Sequence, residues 1–237
     1  MTVWVCGING SGVRSVAVAL SALTFADSTS RASIEPVIVR SSTAPEELPD
    51  LCILVASAEQ GISPDVLPTW HRCAEEFIPR ICVWTHIDTG RTDDDEMRLI
   101  AERMLEEDVF ALSLPVSGDD EELVGVLDLP GQHVHVVGDP LPRSPDVEHV
   151  SLSADARDQL IEAAAATIGD DNTISQLALG LTPDAKRAWE LVSAAVASGQ
   201  LSVAIPTRPV NDQVGMGVLE ELIGRLAALA HIDSGDT

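Results

Sequence analysis

The chain has 237 residues, 14 Lys+Arg against 38 Asp+Glu, a formal net charge of −24 and a hydrophobic content of 45%. This balance excludes a disordered chain. It also argues against direct nucleic-acid binding, which needs clustered Lys and Arg, and against anionic membrane surfaces. Residues 2–6 (TVWVC) predict a short buried strand that stops at Gly7. A Gly-rich turn at 7–12 leads into an apolar, Ala-rich helix from Val13 to Leu23. Residues 26–33 (ADSTSRAS) predict a polar loop, Val37-Ile38-Val39 a second strand, and Leu51 to Ala56 a third. Ser63 and Pro64 are a cap and first position for a helix over 64–78. Arg80 to Trp84 predicts a fourth strand, and residues 93–106 an amphipathic helix with acids in its first turn. Uniformly apolar strands alternating with helices predict a parallel sheet covered on both faces.

The pattern then changes. Residues 110–116, 123–128 and 133–137 are short strands at close spacing, as in an antiparallel meander. Helices at about 153–167 and 182–198 follow, then an apolar strand at 201–206 and a last helix at about 215–231. The expected organisation is an α/β core of residues 1–109 and 198–237, with a small α+β insert at 110–197.

No stretch of about 18 apolar residues predicts a membrane span. The N-terminus has no basic segment followed by a long apolar run. The expectation is therefore a cytoplasmic protein. Cys6, Cys52 and Cys82 sit in apolar runs and no C-x-x-C pair exists, so the cysteines predict small buried hydrophobes.

Gly7-Ile8-Asn9-Gly10-Ser11-Gly12 follows a strand and opens a helix, the context of a phosphate loop. Its glycines fit the start of G-x-x-x-x-G-K-[ST]. The chemistry differs: Val13 stands at the Lys position, Arg14 at the hydroxyl position, and Ser15 comes one residue late. Lys186 is the only lysine in the chain. Three readings stay open: a tight turn without ligand, weak phosphate or nucleotide binding at the helix N-terminal amides, and a shifted but working site. His133 and His135 alternate on one strand, as metal ligands do, but no third ligand is suggested. His86 with Asp88 could form an acid/base pair or be a strand-end remnant. Asp93-Asp94-Asp95-Glu96 predicts an acidic helix start, and 118–122 a solvated turn.

Several segments resemble the GTP-binding domain of elongation factor G, a translational GTPase. Arg80-Ile-Cys-Val-Trp-Thr-His-Ile-Asp88 is similar to the strand and N-K-x-D base motif. Leu112-Ser-Leu-Pro-Val and Gly125-Val-Leu-Asp-Leu129 are similar to L-P-I-G…G-V-I-D-L at the start of that domain's insert. Residues 58–79 and 199–223 resemble the runs before the base motif and at the domain's end. The resemblance extends from residue 1 to about 230. It implies a three-layer phosphate-loop GTPase-like fold, and a nucleotide site at Gly7, Asn9, Gly10, Ser11, Gly12, Ser15 and Asp88, where GTP or GDP with Mg²⁺ would sit.

The departures from that pattern are as informative. Val13 replaces the loop Lys, and Thr85 and His86 replace the Asn and Lys of the base motif. Arg40-Ser41-Ser42-Thr43 stands where D-x-x-G is due, and the catalytic His after it has no counterpart. The segment of the switch Thr is cut to a loop near 26–33, and Arg208-Pro209-Val210 aligns with the closing G-S-A. Phosphoryl transfer relies on Mg²⁺ and the loop Lys for charge, and on a group that positions water. The resemblance with these losses implies a domain without catalytic residues or bound cofactor. Such a domain would act on a protein partner, by self-association, or on a ribosome-associated protein. The rival expectation is a guanine-nucleotide binder that uses residues 7–15 and Asp88.

Overall fold

The computed structural model describes residues 1–26, 31–39, 45–89, 92–118, 123–139, 141–208 and 213–234. A six-stranded parallel sheet forms its centre. In spatial order it runs β4 (Glu35–Val39), β1 (Thr2–Cys6), β5 (Leu51–Ser57), β6 (Arg80–Thr85), β11 (Ser202–Pro206) and β7 (Val109–Ala111). With the helices on its two faces this is a three-layer α/β fold.

The two-residue repeat of the strands divides their side chains between two cores. Val3, Val5, Leu51, Ile53, Val55, Ile81, Val83, Val203 and Ile205 face one side. There they meet α1 (Val13–Ser21), α4 (Val147–Ile168), α6 (Ala185–Ala197) and α7 (Met216–Ser234). Trp4, Cys6, Cys52, Leu54, Ala56, Cys82, Trp84 and Ala204 face the other side, under α2 (Leu67–Glu75) and α3 (Asp94–Leu105). All four cysteines are free and buried in this second layer, Cys6, Cys52 and Cys82 on the strands and Cys73 on α2. Burial on both faces is why these strands are uniformly apolar rather than alternating.

One edge of the sheet is β4. Glu35 N–H donates to Met1 O at 3.0 Å, so the backbone of the next residue, Pro36, turns to the free edge. Proline has no N–H to offer there, which blunts the edge against further pairing.

After α3 the chain adds β7 to the far edge of the main sheet, beside β11. It then enters a three-stranded antiparallel sheet of β8 (Ser113–Ser117), β9 (Leu123–Asp128) and β10 (His133–Val136), in order β10-β9-β8. The single strand expected over 110–116 is therefore two strands in two sheets, with buried Leu112 between them. Helix α4 begins at Val147, earlier than expected, and α5 (Asp171–Ala178) follows it. Of the polar loop expected at 26–33, Ala26 and Arg31–Ser33 are instead strand residues, in β2 (Thr24–Ala26) paired with β3 (Arg31–Ser33), and residues 27–30 lie outside the described residues. The helix expected over 64–78 is a 3₁₀ turn, Pro64–Val66, followed by α2, which ends at Glu75, with the Ser63 hydroxyl capping Asp65 N–H at 3.3 Å.

Candidate functional site

In a parallel sheet, ligands bind outside the carboxyl ends of the strands. Here the turns after β1, β6 and β11 converge on one cavity of about 730 Å³. Asn9, Gly10, Gly12 and Ser15 line it, together with Val13, Arg14, Thr85, His86, Asp88 and Arg208. Five of the seven residues named from sequence thus share a wall of the cavity. Gly7 and Ser11 lie beneath it. A Cβ on Gly7 would stand 2.6 Å from Val55 O and 2.7 Å from Ser11 Oγ. Ser11 is fully buried, and its hydroxyl donates to Ile8 O at 2.9 Å, closing the turn on itself.

Gly10 (φ +93°) and Gly12 (φ +84°) both adopt left-handed backbone, which lets the turn fold over the start of α1. A Cβ on Gly10 would approach Gln60 Nε2 to 2.8 Å, so the amide after β5 leans on the loop. Thr85 ties the loop to β6: its hydroxyl donates to Ser11 O at 2.7 Å. That leaves Thr85 Oγ1 to accept from His86 Nδ1, 2.9 Å away. Ser57 Oγ lies 3.2 Å from the same nitrogen. His86 takes φ +60°, unusual for a residue with a side chain, and turns the chain out of the sheet. The two members of the acid/base pair considered from sequence turn to different neighbours. The His86 ring meets Ser57 and Thr85, and the Asp88 carboxylate meets Arg208.

Val13, at the position of the phosphate-loop lysine, is 6% exposed and packs in the core with Val16, Ala17 and Leu20. The cations of the cavity come from elsewhere: Arg14 on α1 and Arg208 after β11. Arg208 Nη1 lies 3.1 Å from Asp88 Oδ2, and Nη2 donates to Leu123 O at 3.1 Å. Backbone pairing of Arg208 N–H with Val214 O at 3.0 Å fixes its base. Among the described residues no group of three His, Cys, Asp or Glu could hold a metal ion. Val13, buried in the core, offers no ammonium to a phosphate of the Mg²⁺-nucleotide that the resemblance implies. Residues 40–43, 119–122, 209 and 210, where the D-x-x-G, acidic-turn and remaining G-S-A comparisons fall, lie outside the described residues.

A second group was only half visible in the sequence. His133 Nδ1 and His135 Nε2 both lie 3.8 Å from Asp128 Oδ2, whose residue is 3% exposed. Asp128 Oδ1 accepts from Gly131 N–H at 2.6 Å. The two histidines thus bracket a buried carboxylate on the paired strand, beside a cavity of about 370 Å³ that Trp189 and Arg225 also line.

Arg14 and Arg208 were not named as site residues. The signal available was position: each stands two residues past a Gly-rich turn or a strand end on the carboxyl side of a parallel sheet.

Compared by sequence, the chain matches no protein-family model and no curated protein. Compared by structure, it is similar to the crystal structure of ttk003000868 from Thermus thermophilus, with a TM-score of 0.71 at 16% identity. The match covers 95% of this chain and 39% of that one, so the chain spans well under half the length of its structural relative. No described helix is long and apolar enough to cross a membrane. At this identity the likeness establishes the three-layer α/β fold with its mainly parallel sheet, and the fold alone.

Proposed function

We propose that this chain is a GTPase-like domain that has lost nucleotide hydrolysis and acts in the cytoplasm as a protein-binding or regulatory module, related to translation. The observation that carries the reading is Val13. The position that would place a cation against a bound phosphate is instead part of the hydrophobic core. Phosphoryl transfer in such loops leans on that cation to neutralise the charge that builds on the transferring group. The protein-binding half of the reading is supported by the insert, where Leu141, Val147 and Leu152 are all more than 70% exposed. The net charge favours protein over nucleic acid as the partner.

A second reading is a weak guanine-nucleotide binder without hydrolysis. It is favoured by the two guanidinium groups and the imidazole that line the cavity in an otherwise acidic chain. One calorimetric titration separates the two: GDP and GTP, each with and without Mg²⁺, alongside a phosphate-release assay. The leading reading expects no heat at millimolar nucleotide and no release above buffer. Micromolar binding that does not depend on Mg²⁺ would favour the second reading. Mg²⁺-dependent binding with phosphate release would overturn both.

A further inference from the structure

We propose that the cavity of about 370 Å³ between β10, α6 and α7 binds a small neutral polyhydroxy compound, a sugar or polyol, whose hydroxyl groups meet Asp128, His133, His135 and Trp189. Asp128 is 3% exposed, and its Oδ1 is taken by Gly131 N–H at 2.6 Å. Its Oδ2 has two imidazole nitrogens at 3.8 Å, His133 Nδ1 and His135 Nε2, both beyond hydrogen-bond reach. Among the described residues no group donates to Oδ2, and none accepts from Trp189 Nε1. A buried carboxylate and a buried indole each keep one hydrogen-bonding atom for an occupant of the cavity they line. The charges on α7 satisfy each other instead: Arg225 Nε donates to Glu221 Oε1 at 2.8 Å, with its guanidinium 5.0 Å from the Trp189 ring centroid.

Two glycines keep this ground open. A Cβ on Gly131 would stand 2.3 Å from Asp128 Oδ2 and 3.0 Å from both His133 Nδ1 and Trp189 Nε1. The three polar atoms therefore converge around one point, where one small group can touch all of them. A Cβ on Gly217, in the first turn of α7, would meet His135 Nδ1 at 3.3 Å. Neither glycine has the left-handed backbone that would require it, so each serves the space beside the polar group. That polar set selects the ligand. A carboxylate or phosphate would face the charge of Asp128, and an ammonium would turn its hydrogens on the indole N–H. A hydroxyl satisfies both, giving its hydrogen to Oδ2 and a lone pair to an indole or imidazole N–H. With an imidazole on each side of Oδ2, neighbouring hydroxyls of one molecule can be held together. Pro142 and Val218 add apolar wall, and the volume suits a small ligand.

The test is saturation-transfer NMR on the full chain with D-ribose and xylitol. Ethanolamine and acetate serve as charged controls, and tetrahydrofuran as a ring without hydroxyls. At least one of the two polyols is expected to bind with millimolar affinity, and none of the three controls. The same titrations are run on Trp189→Phe, which keeps the ring and loses the N–H, and on His133→Ala, with folding checked by circular dichroism. Each variant is expected to weaken polyol binding roughly five- to tenfold, the loss of one hydrogen bond. Where Trp189→Phe does not fold, His133→Ala decides, because its imidazole is half-exposed and carries little of the packing. The proposal is overturned if neither polyol shows transfer at millimolar concentration, which would leave the cavity to water. It is equally overturned if a control binds as well as the polyols, or if the folded variants bind them as the parent does.

Discussion

Arg208 Nη1 and Asp88 Oδ2 lie 3.1 Å apart although 120 residues separate them in sequence. The Asp88 carboxylate at the mouth of the cavity is thus held by a side chain from the far end of the chain. Each partner is 28% exposed, so the pair lies in the range where ion pairs contribute about 1 kcal/mol or less. Asp88→Ala should therefore change the stability to urea by no more than about 1 kcal/mol, because Arg208 keeps its bond to Leu123 O. A much larger loss would show that the pair is a structural strut and not an exchangeable contact.

The opposite end of the strands, where β6 and β11 begin, carries an ion pair of another kind. Glu107 accepts from Trp70 Nε1 at 2.9 Å, Ser202 Oγ at 2.7 Å and Arg80 Nη2 at 2.9 Å. The Arg80 side chain is 5% exposed and its guanidinium lies 5.5 Å from the Trp70 ring centroid. Removing the carboxylate leaves a buried cation without its counter-charge and an indole and a hydroxyl without their acceptor. Glu107→Ala should cost about 3 kcal/mol by urea denaturation, with the slope m unchanged. A cost like that of Asp88→Ala would show that water replaces the carboxylate at this end of the strands.

Asp94, at the start of α3, titrates in the opposite sense to most carboxylates. Burial raises its pKa from 3.8 to about 7, against the lowering effect of Arg98; the nearby Asp95 and Asp93 add smaller upward pushes. Its residue is 5% exposed and Oδ1 has no hydrogen-bond partner. The folded protein thus binds this proton more tightly than the unfolded chain. Stability from this group is complete below about pH 4 and is lost as the pH rises toward 7. Asp170 works the other way. The Thr173 hydroxyl, then Arg187, lower its pKa to about 2, so its contribution is present above about pH 4 and lost as the pH falls toward 2. Asp94→Asn should raise the melting temperature at pH 8 and flatten its fall between pH 4 and pH 8. An unchanged pH profile in the variant would show that Asp94 ionises normally.

Much of the fold was legible because strands buried on both faces leave short, uniformly apolar runs. TVWVC, LCILVAS, RICVWT and SVAIP all read this way, and all became central strands. What was lost depends on partners far along the chain. The hairpin of β2 and β3 has little apolar content, and its strands are three residues each, too short for a period to show. The break at Leu112 is invisible locally because the apolar pattern continues while the chain changes sheets. The early start of α4 was missed because Val147, Val150 and Leu152 are exposed, so no core-facing stripe marks that turn. In the site, the glycines were legible because left-handed turns demand them. The pairing of Arg208 with Asp88, and of His133 and His135 with Asp128, arises only when separate segments meet in three dimensions. The sequence suggested no third group for the histidines, because Asp128 comes from the paired strand.

Val13 offers the most direct test of whether one residue keeps the turn at 7–12 from binding a nucleotide phosphate. A lysine at this position must either bury its ammonium among Val16, Ala17 and Leu20 or bend out past Gly12 into the cavity. The first course leaves a charge without a partner, and the second empties a packed site in the core. Val13→Lys should therefore cost about 2–4 kcal/mol by urea denaturation. On the functional proposal it should bring no phosphate release from GTP, because a cation in the loop is one of several groups that phosphoryl transfer needs. If the variant is as stable as the parent and gains Mg²⁺-dependent GTP binding, the loop is a working cradle that lacks only its cation. The absence of hydrolysis that the functional proposal expects would then rest on this one residue rather than on the way α1 packs against the sheet.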